Sequence, residues 1–289
     1  MKYKSFNSML DDVKNKGPVK VAAAGPAKKE VLEGLRLAQA EGIIEPILIG
    51  DSGWIFQRAR EAGLDLSKAE IVNEPRLELP AANIAVDIIN NNRADFIING
   101  YVRTQHILQA VSRPERGLRT DRALSMLTAI ESPKFSHLIF IADTAFHGSP
   151  NSEIKLDILD NAISYLTVLK VEKIKVVLLS GNNVADEPST LKAQEIFANL
   201  SQKYPGLIVE DSLSLESGFN ADPDIFLTPN ADSGNILSES LVHLTNGSMA
   251  SIVLGAQVPI VLVTPNSTSQ NLFNSLIMAV RFRQAKNTF

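Results

Sequence analysis

Short runs of valine, isoleucine, leucine and alanine recur along this chain. Most are followed by a longer stretch whose apolar residues fall at helical spacing. Residues 19–24 (VKVAAA) read as a buried strand that Gly25-Pro26 breaks, with Pro26 placed for the first turn of a helix. Val31, Leu32, Leu35 and Ala38 then share one helical face, and Gly42 stops it. Further strands are expected at 46–50, 94–100 (ADFIING), 137–142, 174–179, 207–210, 225–228, 252–254 and 259–263. Helices are expected near 82–91, 153–170, 189–203, 235–244 and 270–281. Strands apolar on both faces and separated by helices predict largely parallel sheets with helices on both sides.

A chain of 289 residues has room for about two such domains. Lys+Arg number 28 and Asp+Glu 32, a formal charge of −4, which argues against a general nucleic-acid binder. Cysteine is absent, removing disulfides, thiolate metal sites and cysteine nucleophiles together. The sequence has four histidines and no HExxH pair, so no metal site is expected. Phosphate-loop, dinucleotide and nucleophile-elbow patterns are missing as well. The first sixteen residues mix charges with isolated apolar residues, and no run approaches the roughly 20 apolar residues of a membrane helix. A soluble, cytoplasmic protein is the expectation.

Ligands of open α/β sheets gather at the carboxyl ends of strands. That singles out four junctions: Asn99-Gly100, Asp143-Thr144, 229–235 and 264–269. Beside the first lies a cluster of Arg103, Arg113, Arg116, Arg119 and Arg122, a local reversal of sign. Arginine's planar fork of donors suits phosphate. Gly117–Asp121 (GLRTD) reads as a loop entering a helix capped by Thr120 or Asp121, where an anion could meet free N–H groups and Arg119. The alternative is a solvated basic loop, or arginines paired with carboxylates such as Glu115. The polar turn 229–235 offers either backbone donors for an anion or a helix cap at Asp232 or Ser233. The hydroxyls of 264–269 could bind phosphate, stabilise an oxyanion or cap the last helix. His147 stands alone as a candidate acid or base.

In this order the segments 94–100 (ADFIING), 104–120 ending in GLRT, 141–151 (IADTAFHGSPN), 223–237 (PDIFLTPNADSGNIL) and 251–262 (SIVLGAQVPIVL) resemble the phosphate acetyl/butyryltransferase family, in particular its butyryltransferase branch. The resemblance covers about residues 17–279. It implies two α/β domains with a cleft between them, similar to the isocitrate/isopropylmalate dehydrogenase-like fold. The first domain would hold residues 1–123 plus 252–289 and the second 124–251. It implies transfer of a short or branched acyl group between coenzyme A and inorganic phosphate, with coenzyme A as substrate and no tightly bound cofactor. A homodimer is implied, with neither nucleic acid nor membrane as partner.

The resemblance assigns catalysis to Thr264 and Ser267. It assigns phosphate and coenzyme A binding to Arg103, Thr104, Arg119, Thr120, Ser125, Ser233, Gly234 and Asn235. Where the family turn reads Ser-Arg-x-Asp-Ser, this chain has Thr264-Pro265-Asn266-Ser267-Thr268, and Gln109 stands in place of an arginine. Those departures favour a second reading, a catalytically impaired relative that binds coenzyme A or acyl phosphate without efficient turnover. A decarboxylating dehydrogenase on a related scaffold is a third, and no convincing set of acidic metal ligands supports it.

Overall fold

The computed structural model describes residues 2–76, 78–179, 193–264 and 266–286. In chain order the elements begin with α1 (Phe6–Lys14), β1 (Val19–Ala24), α2 (Lys29–Ala40), β2 (Ile44–Gly50) and α3 (Ser52–Ala62). Next come β3 (Glu70–Asn73), α4 (Leu79–Asn90), β4 (Phe96–Asn99) and α5 (Thr104–Val111). They continue with β5 (Ser125–Glu131), β6 (Ile139–Ala142), α6 (Ser152–Val168), β7 (Lys175–Leu179), α7 (Ala193–Leu200), β8 (Ile208–Ser212), α8 (Leu215–Asn220) and β9 (Ile225–Leu227). The chain closes with α9 (Ala231–Thr245), β10 (Ser248–Leu254), β11 (Ile260–Val261) and α10 (Ser269–Lys286). The expected helix at 189–203 corresponds to α7, and its residues 189–192 lie outside the described residues.

The chain divides into two compact units. The first, Phe6–Thr120 with Ala250–Phe289, we call the N-terminal unit; the other, Met1–Ser5 with Asp121–Met249, the mid-chain unit. Lys2 and Tyr3 are held within the mid-chain unit. Leu138 N–H donates to the Tyr3 carbonyl, and Lys2 pairs with the buried Asp224 carboxylate at 2.9 Å.

In the N-terminal unit the strands lie in the order β3-β2-β1-β4-β11-β10. All neighbouring pairs are parallel except β10 with β11. β1 has its neighbours β2 and β4 on opposite sides, so the chain reverses its direction of progress across the sheet there. β1, β2 and β4 are almost wholly buried, which is why they read as continuous apolar runs. α10 lies on α2 so closely that a Cβ on Gly34 would stand 3.1 Å from Leu272 Cβ. α10 is also tied to α1, where Gln284 Nε2 donates to the Val13 and Gly17 carbonyls. Pro26 precedes the helix by three residues; α2 begins at Lys29, with Lys28 as its N-cap.

In the mid-chain unit the order is β5-β6-β9-β7-β8, with β5 antiparallel to β6 and the rest parallel. Ile130, Ile139, Ile141, Val177, Phe226 and Leu237 form a buried core on one face. On α6, the buried Asp160 accepts from Arg122, Lys203 and the Tyr204 hydroxyl at 3.0, 2.7 and 2.5 Å. One carboxylate with three donors offsets the cost of its own burial. Burial first, and then the Asp160 bond, push the Tyr204 phenol well above its ordinary value.

Candidate functional site

The carboxyl ends of β4 and β11 are tied by one side chain. Asn99 is 1% exposed; its Nδ2 donates to the Val102 carbonyl at 2.9 Å and its Oδ1 accepts from Val263 N–H at 2.7 Å. An amide that serves both loops at once fixes how they leave the sheet. The first loop leads to Arg103 and Thr104 at the start of α5, and the second to Thr264 and Ser267 before α10. Gly100 is required here, because a Cβ would lie 2.0 Å from the Gly25 carbonyl oxygen.

Thr264 and Ser267 are brought together. Ser267 Oγ accepts from Thr264 N–H at 2.9 Å and sits 3.0 Å from Thr264 Oγ1, and Ser267 N–H returns a bond to the Thr264 carbonyl at 3.1 Å. When Ser267 donates to Thr264 Oγ1, the Thr264 hydroxyl hydrogen is left to point outward, where Thr264 is exposed. Pro265 lies outside the described residues. Thr268, not these two, caps the last helix: its Oγ1 accepts from Asn271 N–H.

The arginine cluster disperses. Arg113 pairs with Asp87 at 2.7 Å, and Arg122 with Asp160. Arg103 Nε donates to Glu78 at 3.1 Å. Arg119 is exposed, and no described carboxylate pairs with it. The expected helix entrance at Thr120 or Asp121 is absent. Arg119 forms an isolated antiparallel bridge with Ala256, Gln257 N–H donates to the Leu118 carbonyl, and the Thr120 hydroxyl donates to the Gly255 carbonyl at 2.6 Å. Ala123 N–H then goes to Asp157, and the Ala123 carbonyl accepts from Asn161. Bends at Asp121 and Arg122 carry the segment into β5 with no helix between. An anion at Arg119 would be held by the guanidinium, without help from a helix terminus.

In the mid-chain unit Ser125 is buried and its Oγ accepts from Asn161 at 2.9 Å, a structural bond. Ser233, Gly234 and Asn235 lie in the first turn and a half of α9, whose cap is Asn230 rather than Asp232 or Ser233. Asn230 Oδ1 accepts from Ser233 N–H at 2.9 Å. Gly234 lets α9 meet the end of β6: a Cβ would stand 2.3 Å from the Asp143 carbonyl oxygen. Asn235 is exposed. A cavity of about 400 Å³ opens beside Ser233, walled by Leu213, Leu215, Ile236 and Leu237.

Three further features stand out, of which the sequence singled out only the first, the Asp143-Thr144 junction. Asp143, 2% exposed and reached through a cis peptide from Ala142, accepts from four N–H groups: Met126, Ala145, Phe146 and His147. It moulds the turn after β6, and His147 Nε2 bonds the Leu124 carbonyl there at 2.8 Å. A cavity of about 230 Å³ at the ends of β1, β2 and β4 is walled by Trp54 and Tyr101, whose rings meet edge to face at 6.3 Å, with Lys28 Nζ 5.7 Å from the Tyr101 ring. The third is Glu78, which receives Arg103 N–H, Arg103 Nε and His106 Nδ1. Among the described residues, no group of three or more His, Asp or Glu could hold a metal ion.

Residues 76–280 match the phosphate acetyl/butaryl transferase family. The chain belongs to that family. It is 32% identical to a phosphate butyryltransferase of Clostridium acetobutylicum over 96% of this chain and 97% of that one. A phosphate acetyltransferase of Rhizobium meliloti is 28% identical over 90% of this chain and 87% of the relative. A branched-chain phosphotransacylase from Enterococcus faecalis has the same fold, with a TM-score of 0.75 at 22% identity over 91% of this chain and 98% of that structure. A 4-hydroxythreonine-4-phosphate dehydrogenase from Klebsiella pneumoniae shares it more distantly, at 0.57 and 11% over 92% of this chain and all of that structure.

Proposed function

We propose that this chain catalyses reversible transfer of a short or branched acyl group between coenzyme A and inorganic phosphate. The observation that carries the reading is the family match over residues 76–280, with 32% identity to a phosphate butyryltransferase over 96% of the chain. In one direction a phosphate oxygen attacks the thioester carbonyl. The new C–O bond forms as the C–S bond breaks, and the departing thiolate takes a proton. Coenzyme A is a substrate, and no tightly bound cofactor is needed.

Both reactants are anions, so the protein must supply positive charge and donors. Arg119, exposed and without a described carboxylate partner, supplies positive charge to a phosphate oxyanion, and Arg103 acts from the start of α5. The Thr264 hydroxyl, backed by Ser267, donates to the oxygen of the acyl carbonyl as it becomes negative. The residues that bind phosphate and coenzyme A are Thr104 and Thr120 in the N-terminal unit and Ser125, Ser233, Gly234 and Asn235 in the mid-chain unit. The functional domains are residues 1–123 plus 252–289 and residues 124–251, and the protein works in the cytoplasm as a homodimer.

Thiol release from acetyl-, butyryl- and isobutyryl-CoA, with and without phosphate, tests this reading. Release that requires phosphate and is faster with the four-carbon substrates is expected. Binding of coenzyme A with no release from any of the three contradicts it and leaves the impaired relative.

A further inference from the structure

Glu78 has an unusual backbone. At φ +72° and ψ −129° it stands in a region that side-chain-bearing residues rarely adopt, and it is the N-cap of α4. Such a conformation persists only where surrounding contacts over-determine it. The contacts here are polar. Glu78 Oε2 accepts from Arg103 N–H at 3.2 Å, Oε1 from Arg103 Nε at 3.1 Å, and Oε2 meets His106 Nδ1 at 2.5 Å. Burial alone would raise this carboxyl; the bonds from His106 and Arg103 outweigh it and hold the group below the ordinary carboxylate value.

A carboxylate on Nδ1 decides what the other ring nitrogen does. Nδ1 carries the hydrogen toward Glu78, so Nε2 of the neutral ring presents its lone pair. Among the described residues Nε2 of His106 has no partner. The other three histidines differ. His137 is buried with both nitrogens engaged by Ser136 and Pro223, His147 Nε2 is held by the Leu124 carbonyl, and His243 is exposed and paired with Glu239. His106 is one-sixth exposed, shielded yet reachable. It lies in the first turn of α5, beyond the carboxyl end of β4, where Asn99 binds together the loops that carry Arg103 and Thr264.

We propose that His106, oriented by Glu78, is the proton acceptor for the thiol of coenzyme A, an inference that rests on the acyl-transfer reading. A thiol near its usual value of about 8.5 is mostly protonated at neutral pH, and a neutral imidazole is matched to it. Nε2 takes the thiol proton as sulfur attacks the carbonyl carbon of an acyl phosphate. The C–S bond forms, the C–O bond to phosphate breaks, and its electron pair leaves on the phosphate oxygen. The imidazolium returns the proton to that oxygen, so acyl phosphate and thiol become thioester and hydrogen phosphate with nothing left over. Glu78 is a positioning residue: it sets the ring's tautomer and its orientation. Among the described residues, the charged groups in contact with this turn are Glu78 and Arg103.

The test is kcat and KM for butyryl phosphate with coenzyme A, in the intact protein and in His106→Gln, Glu78→Gln and His243→Gln. His106→Gln is expected to lose about 100-fold or more in kcat. Glu78→Gln should lower kcat by about 10-fold or more with the KM for coenzyme A nearly unchanged, because an amide can donate as well as accept and no longer fixes the ring's tautomer. His243→Gln should keep the parent values. A His106→Gln rate within threefold of the parent, or an unchanged kcat in Glu78→Gln, overturns the proposal while acyl transfer stands. If His106→Gln does not fold, the Glu78→Gln kcat decides alone. A parent protein without acyl transfer fails the underlying reading and this one with it.

Discussion

Replacing Asn99 with alanine removes the amide that joins the two loops of the N-terminal unit. The side chain makes two bonds and is 1% exposed, so truncation strands the Val102 carbonyl and the Val263 N–H, both on buried residues. Each buried group left unpaired costs about 1–3 kcal/mol, or about 2–6 kcal/mol together. A water admitted to the vacated space would bond both groups and bring the loss toward about 3 kcal/mol. That changes the unfolding equilibrium by on the order of 100-fold, a large share of a typical protein's margin. Trp54, the single tryptophan of the sequence, lies in α3 of the same unit and reports its unfolding by fluorescence in urea. The midpoint should fall by about 1–1.5 M. Activity below the transition should fall by about 10-fold or more, because loosened loops misplace Thr264. Asn99→Asp keeps the acceptor for Val263 but sets oxygen against oxygen at Val102, so it should be at least as damaging at neutral pH. It should recover in part in acid, where a protonated carboxyl can donate. A midpoint within about 0.3 M of the parent for Asn99→Ala would refute the bridging role.

Gly234→Ala forces a Cβ to 2.3 Å from the Asp143 carbonyl, so the mid-chain unit should lose about 1–3 kcal/mol, read as a fall in Tm. Gly148→Ala, whose Cβ would meet nothing within 4 Å, should change Tm little. Arg119→Ala should raise the KM for phosphate or coenzyme A while leaving Tm nearly unchanged, since the side chain is exposed; an unchanged KM for both removes Arg119 from the site.

The parallel core was legible because β1, β2 and β4 are short, apolar and bounded by turn residues. β5 was not, because SMLTAIE carries Ser and Thr whose partners, Asn161 and Thr144, lie far along the chain or in the turn beyond the next strand. The Thr120-Asp121 pair has the composition of a helix cap, yet the Thr120 hydroxyl goes to Gly255, 135 residues away. Local chemistry can offer a donor but cannot say which acceptor arrives. The same holds for Asn99 with Val263, and for Glu78 with His106, 28 residues on. Thr264 and Ser267 are the opposite case: three residues apart in one turn, they meet as their spacing allows.

The central claim is that the acyl group passes between sulfur and phosphate oxygen. Incubation of butyryl-CoA with phosphate, followed by 31P NMR and thiol titration on the same sample, tests it most directly. The account predicts one equivalent of acyl phosphate for each equivalent of free thiol, and the reverse conversion when butyryl phosphate and coenzyme A are supplied. Thiol appearing without phosphate and without acyl phosphate would mean plain thioester hydrolysis and would contradict it.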